Sequence, residues 1–270
     1  MIKIYTKEKE EIQYKSLIFN GGEVHTNLHT LKVIDDVTIE AKIKSSDSLM
    51  TVLQLNQILR EVYSCSIVNL KMLYCPYARQ DRHCAKGDSF SLKVFCDIIN
   101  AQGFNKVTIA DPHSDVTPAL LKNVEVIEQI DIISKSKILT DLCTNTELVS
   151  PDAGSNKKVQ KISEYCARPF IRADKVRCVL TGNIKETIVY CKDLGGKEVT
   201  IFDDICDGGR TFIELAKSLK NQSAGKINLY VTHGIFSNGI DYLVDNGINH
   251  IFTTDSLPQN QHRNLTVIKL

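Results

Sequence analysis

The residues best suited to chemistry stand together in VTIFDDICDGGRTF, residues 199–212. A β-prone run ends in two acids, Asp203 and Asp204; Asp207, Gly208 and Gly209 make a short turn, and helix-favouring residues start at Arg210. Glycines let a backbone come close to an anion, and the open N–H groups of a helix start favour phosphate. Two adjacent carboxylates cannot serve that phosphate, because like charges repel; they suit sugar hydroxyls or a bound divalent cation. A phosphate cradle beside hydroxyl acceptors describes a site for a sugar phosphate, a pentose phosphate for instance. Without such a ligand the same residues are only an acidic turn between a strand and a helix.

Positioning such a turn takes a strand before it and a helix after it, and the chain repeats that alternation. SIVNLKMLY, SLKVFCDIINAQG, KVTIAD, a helical stretch through Leu120 and Leu121, and VEVI follow one another; after residue 145 come ELVS, SNKKVQKISEYC, EVTIFDD, RTFIELAKSLK, INLYVTH, GIDYLVDNG and HIFTT. This is the βαβ rhythm of sheets covered on both faces. The expected fold class is α/β: two tandem domains, each a mainly parallel sheet flanked by helices. Phe212, Leu215, Ala216 and Leu219 recur at helical spacing, so one face of that helix can pack on a sheet while Lys217 and Lys220 stay in water. The polar stretch DLCTNTE marks the boundary and divides residues 1–143 from 144–270. Two long, polar, basic segments interrupt the rhythm, 76–90 and 172–186, and read as lids or binding loops.

The chain of 270 residues carries 33 Lys plus Arg against 32 Asp plus Glu, is 43% hydrophobic and lacks Trp. Disordered, collagen-like and coiled-coil classes are excluded, and at roughly 100 to 200 residues per domain there is enough chain for two cores. A formal charge of +1 sets up no overall field for nucleic acid or membrane, so any anion site is local. The opening MIKIYTKEKEEI has charges where a secretion signal needs an apolar core, and no run approaches the roughly 18 apolar residues of a membrane span. A cytoplasmic protein is expected. Nine cysteines, at 65, 75, 84, 96, 143, 166, 178, 191 and 206, form no CxxC pair and read as reduced thiols.

DDICDGGRT resembles the phosphoribosyl-binding loop of type I phosphoribosyltransferases and of ribose-phosphate diphosphokinases, the enzymes that make phosphoribosyl diphosphate (PRPP). FNGGE (19–23), IKSSDSLM (43–50), PYARQDR (76–82), DPH (111–113), SPDAGSNKK (150–158) and THGIFS (232–237) resemble motifs of the second family, in that family's order. The resemblance spans nearly the whole chain, and PYARQDR with THGIFS is far more specific than a glycine loop.

That resemblance implies Mg²⁺-dependent transfer of the β,γ-diphosphoryl group of ATP to the C1 hydroxyl of ribose 5-phosphate, with release of AMP. It implies that Arg79 and Gln80 hold ATP, the arginine by charge-assisted bonds to phosphate. Phe19, Gly21, Gly22 and Glu23 match the adenine-binding stretch, which in the family reaches a neighbouring subunit's site and so implies a homo-oligomer, dimer or hexamer. His113, at the end of KVTIA where α/β sheets place ligands, and Asp152 are implied as Mg²⁺ contacts, His113 also meeting ATP phosphate. Asp152, Ala153, Gly154 and Ser155 correspond to the pyrophosphate turn, and Asp203, Asp204, Asp207, Gly208, Gly209, Arg210 and Thr211 to the ribose 5-phosphate loop. Lys175 and Arg177, expected on a flexible loop, correspond to the catalytic pair, cations that meet the charge building on the transferred group.

The chain departs from the family's usual pattern in places. Gly21 stands where many members have Asn or Asp, Ser155 replaces a glycine, and Gly208-Gly209-Arg210 replaces Thr, a small residue and Gly. HCAKGDSFSL (83–92) is less basic than the run that contributes to phosphate activation and ADP inhibition in regulated members, which predicts weak regulation of that kind. Short variants like this one are similar to some encoded by bacteriophages and bacteria beside a nicotinamide phosphoribosyltransferase, which implies a supply of PRPP to NAD salvage. The competing readings are a phosphoribosyltransferase that consumes PRPP and an inactive regulatory subunit. The first has no need of PYARQDR; the second typically loses residues that are kept here, namely Lys175, Arg177, Asp203, Asp207 and Thr211.

Overall fold

In INLYVTHG, residues 227–234, all eight positions are buried, and in VTIFDDIC, residues 199–206, seven of eight are. Strands apolar on both faces need cover on both sides, which places them inside a parallel sheet sandwiched by helices. The computed structural model describes residues 1–30, 34–177 and 184–270, the side chains of 175–177 and 184–186 excepted. They form two compact units, Met1–Ile127 and Glu128–Leu270.

The first unit opens with an antiparallel pair, β1 (Ile2–Thr6) and β2 (Glu11–Ile12). A hairpin of β3 (Tyr14–Ile18) and β4 (Val24–Leu28) then makes a two-stranded sheet of its own. β5 (Asp36–Ala41) returns antiparallel to β1, after which β6 (Ile67–Lys71), β7 (Lys106–Ala110) and β8 (Val124–Ile127) add in parallel. The order among the described residues is β2-β1-β5-β6-β7-β8. α1 (Ser46–Gln57), α2 (Ser91–Ala101) and α3 (Val116–Leu120) make the crossovers. Ser45 starts α1 by accepting the Ser48 N–H, while α2 buries Leu92, Phe95, Cys96 and Ile99, one helical face. Each such side chain contributes roughly 1.5–3 kcal/mol by leaving water.

The second unit begins with α4 (Gln129–Lys135) and α5 (Lys137–Asn145), followed by β9 (Glu147–Ser150) and α6 (Asn156–Cys166). β10 (Phe170–Arg177), β11 (Ile184–Val189), β12 (Val199–Cys206), α7 (Arg210–Asn221), β13 (Ile227–Gly234), α8 (Ile240–Asp245), β14 (His250–Thr254) and β15 (Leu265–Ile268) complete it. The order is β11-β10-β9-β12-β13-β14-β15 among the described residues, parallel throughout except for β11 against β10. α7 buries Phe212, Leu215, Ala216 and Leu219, as their spacing predicts. Among the described residues no helix is long and apolar enough to cross a membrane, and the cysteines are free thiols.

The α/β class and the parallel sheets match the expectation. The segment 72–90 between β6 and α2 holds no helix or strand. The described residues of 172–186, in contrast, form no irregular loop. The two sides are strands, β10 and β11, with residues 178–183 between them outside those described. The alternation that makes β10 a strand was present, with Ala173 fully buried between Arg172 and Asp174, but the density of charge concealed it. The units divide at 127/128 rather than at 143/144, because α4 and α5 cover the second unit. Lys161 of α6 pairs with Glu128, and Gln129 donates to the Asp203 carbonyl at 2.8 Å.

Candidate functional site

β12 lies between β9 and β13, so its C-terminal end opens where ligands bind α/β sheets. Residues 207–209 cross from it to α7. Gly209 has φ of +80°, and a Cβ there would lie 2.5 Å from Leu243 Cδ2, so α7 can begin over α8 only if this residue is glycine. The helix start has no side-chain cap. The N–H groups of Gly208, Gly209, Arg210 and Thr211 donate to no acceptor among the described residues, which leaves four donors for an anion.

The paired acids before this turn are held differently. Asp204 is buried; its Oδ1 accepts the Ile205 N–H at 2.8 Å and its Oδ2 meets Lys158 Nζ at 3.2 Å. Asp203 Oδ1 accepts the Asp204 N–H at 2.9 Å and the Ser155 hydroxyl at 2.7 Å. Ser155 in turn gives its N–H to Asp152 Oδ1 at 3.1 Å. Ser155 therefore gathers the SPDAG turn and the DDICDGGRT loop into one place. Burial pushes the Asp203 carboxyl well above the usual carboxylate range, and the charges of Asp204 and Asp152 push the same way against the Ser155 bond.

Such a carboxyl is relieved by a proton, a cation or a donating hydroxyl. Among the described residues no group of three or more His, Cys, Asp or Glu could hold a metal by itself. Magnesium keeps several waters and takes one or two carboxylates plus substrate phosphates, so the crowded oxygen donors of Asp152 and Asp203 fit it.

In the first unit the organising residue is Asp81, buried in the 72–90 segment. It accepts from Arg82 Nε at 2.9 Å and from the Ser114 hydroxyl at 2.6 Å. The Arg82 guanidinium holds the carboxyl below its ordinary value, against burial, with the Ser114 bond and the charge of His113 helping. Asp81 thus ties PYARQDR to the turn after β7. Exposed Arg79 and Gln80 come to the same end of the sheet as exposed His113. Tyr77, at φ of 61°, seats the segment on α2 with its ring 5.7 Å from that of Phe95.

Phe19, Gly21, Gly22 and Glu23 form the turn of the β3–β4 hairpin. Phe19 N–H donates to the Glu23 carbonyl at 2.9 Å and Gly22 N–H to the Phe19 carbonyl at 2.8 Å. A Cβ on Gly21 would lie 2.5 Å from Glu23 Oε2, so here the acid folds over the glycine. Ile18 is 59% and Phe19 54% exposed, which leaves the turn open to a partner molecule. Lys175 and Arg177 lie in β10 opposite Thr187 and Ile184 of β11; their side chains are outside those described.

A family model described as the phosphoribosyl synthetase-associated domain matches residues 150–270. Similar curated proteins are ribose-phosphate pyrophosphokinases, another name for diphosphokinases. That of Mycoplasmopsis pulmonis is 27% identical over 263 residues, 94% of this chain and 80% of the relative. That of Thermosipho africanus is 26% identical over 253 residues, 92% and 78% of the two chains. The chain is thus similar to ribose-phosphate pyrophosphokinases over most of its length.

The crystal structure of phosphoribosylpyrophosphate synthetase from Mycobacterium smegmatis shares this fold, with a TM-score of 0.81 over 97% of this chain and 87% of that one at 20% identity. The chain spans 64% of the length of the Sulfolobus acidocaldarius relative, to which it is 26% identical over 189 residues, 69% of this chain. Asp81, Ser114 and Lys158 are the residues that sequence reasoning missed. Lys158 follows Ser155 by one helical turn, a spacing that signals a shared face; a lone acid within the basic PYARQDR was the clue to Asp81.

Proposed function

We propose that the protein is a Mg²⁺-dependent ribose-phosphate diphosphokinase that makes PRPP and AMP from ATP and ribose 5-phosphate. The 203–211 loop carries this reading, because it sets four open N–H groups beside two carboxylates, one of them strained by burial and like charge. The N–H groups of Gly208, Gly209, Arg210 and Thr211 take the 5-phosphate, with Asp207 completing the loop, and Asp203 and Asp204 accept ring hydroxyls. Arg79, Gln80 and His113 hold the ATP phosphates. Asp152, Ala153, Gly154 and Ser155 cradle the transferred diphosphate. Adenine stacks on Phe19 above Gly21, Gly22 and Glu23, and the open hairpin suits a site completed by a second copy in a homo-oligomer.

The C1 hydroxyl oxygen attacks the β-phosphorus. A bond forms there as the bond from that phosphorus to the α,β-bridging oxygen breaks, AMP leaves, and the hydroxyl proton passes to solvent. Lys175 and Arg177 meet the charge that grows on the diphosphoryl group and would act only in the closed site, where water is excluded. Asp152 and His113 would hold Mg²⁺, which would supply charge to offset the phosphates. The product would supply nucleotide synthesis, NAD salvage being one branch, in the cytoplasm. With so few cations in 83–92, the rate should respond little to inorganic phosphate.

Mixing the protein with ATP, Mg²⁺ and ribose 5-phosphate tests this by ³¹P NMR. The expected spectrum gains AMP and a diphosphate on a sugar C1, both absent with Lys175→Ala. ATP left intact while PRPP binds would overturn the reading in favour of a transferase or a regulatory subunit.

A further inference from the structure

The loop that crosses from β12 to α7 does not hold its own shape. Its carbonyls are drawn, one after another, to the segment that follows β13. The Cys206 carbonyl accepts the N–H groups of Ile235 at 2.8 Å and Phe236 at 3.1 Å, and the Asp207 carbonyl accepts the Ser237 N–H at 3.2 Å. The third, that of Gly208, accepts a side chain: Asn238 Nδ2 at 2.9 Å.

In a trans peptide the C=O of one residue and the N–H of the next point in opposite directions, and the described chain has no cis bond. Drawing three successive carbonyls to one side therefore aims the N–H groups of Asp207, Gly208 and Gly209 to the other, which is where an anion would be received. The receiving segment is itself built for this. Phe236 adopts φ of 49° and turns the chain back on itself, the Gly239 N–H closing the turn on the Phe236 carbonyl at 2.8 Å. A Cβ on Gly234 would lie 2.1 Å from the Phe236 ring, so glycine is needed where that ring lies back.

Three of the four contacts are backbone to backbone, and nearly any residue could make them. The contact to the Gly208 carbonyl requires a donating side chain of this length, and Asn238 leaves little room for a larger residue at 208. A Cβ on Gly208 would lie 3.2 Å from Asn238 Nδ2.

We infer that Asn238 is a positioning residue for the anion loop: it turns the Gly208–Gly209 peptide so that the Gly209 N–H faces the bound phosphate, and it touches no substrate. The inference rests on the proposed reading of 207–211 as the 5-phosphate loop. Asn238 is exposed, so its bond matters to the aim of one peptide and little to the fold.

Titration calorimetry with ribose 5-phosphate and, separately, with ATP tests this in the full chain, together with steady-state kinetics. Asn238→Ala should weaken ribose 5-phosphate binding and raise its KM about five- to ten-fold, with kcat, ATP affinity and melting temperature unchanged. Asn238→Asp, which cannot donate and adds a negative charge, should weaken binding further. Gly208→Ala should also weaken it, and the Gly208→Ala, Asn238→Ala pair should bind no worse than the weaker single variant, because both changes act on one contact. Wild-type protein that fails to bind ribose 5-phosphate overturns the loop reading and this inference with it. Wild-type protein that binds, with Asn238→Ala binding equally well, or with additive losses in the pair, overturns the inference alone.

Discussion

In the second unit, Asp203, Asp204 and the glycines of the anion loop sit at the end of one buried strand and the start of one helix that packs its apolar face on the sheet. Every turn between them is fixed within a few residues or by a parallel neighbour. In the first unit, Arg79 and Gln80 sit in a segment without helix or strand, held to the sheet through Asp81 and its bond to Ser114. The first arrangement is carried by the core, with Asn238 trimming the aim of one peptide; the second depends on one buried carboxylate that holds a largely exposed arginine and a hydroxyl. The ribose end should therefore respond to removal of a functional group, and the nucleotide end to removal of an anchor.

The sharpest break comes at Asp203. Asp203→Ala should lower kcat/KM for ribose 5-phosphate at least about 100-fold while the KM for ATP changes far less, measured by varying each substrate in turn. Next, Asp81→Ala removes a buried acceptor from both Arg82 and Ser114, a loss of about 1.5–3 kcal/mol for bonds involving a charge. The expected result is a KM for ATP raised roughly ten-fold or more, with ribose 5-phosphate affinity unchanged in a direct titration. Equal losses for both substrates would mean that the two ends are not separately held.

A smaller effect concerns stability in the metal-free protein. Between the ordinary carboxylate range and the raised value of Asp203, the folded chain keeps a proton that the unfolded chain has released, so stability falls as pH rises through that window. Asp203→Asn removes that fall. Its melting temperature should exceed the wild type's by a few degrees above the window and converge with it in acid, even as activity is lost. Smallest of all, Arg210→Ala should raise the KM for ribose 5-phosphate by no more than about three-fold, because an exposed cation adds little to a site built from backbone donors.

The same contrast governs what could be read from the sequence. The β12–turn–α7 unit was legible because its signals are local: a β run, paired acids, glycines, and apolar residues at helical spacing. The covered parallel strands were legible for the same reason. The antiparallel start of the first unit carried no such rhythm, and the β10–β11 ribbon was hidden by its charges. Ser155 to Asp203, Asp81 to Ser114 and Asn238 to Gly208 are bonds across 48, 33 and 30 residues. Nothing in the types or spacing of those residues announces such contacts, because they exist only once the sheet has brought distant turns together.

The most direct test follows one atom through the reaction. With ATP carrying ¹⁸O in the α,β-bridge, Mg²⁺ and ribose 5-phosphate, the isotope-shifted ³¹P signal should appear in AMP and not in the sugar diphosphate, as attack at the β-phosphorus requires. Label retained by the diphosphate, or ATP that stays intact, would contradict diphosphoryl transfer.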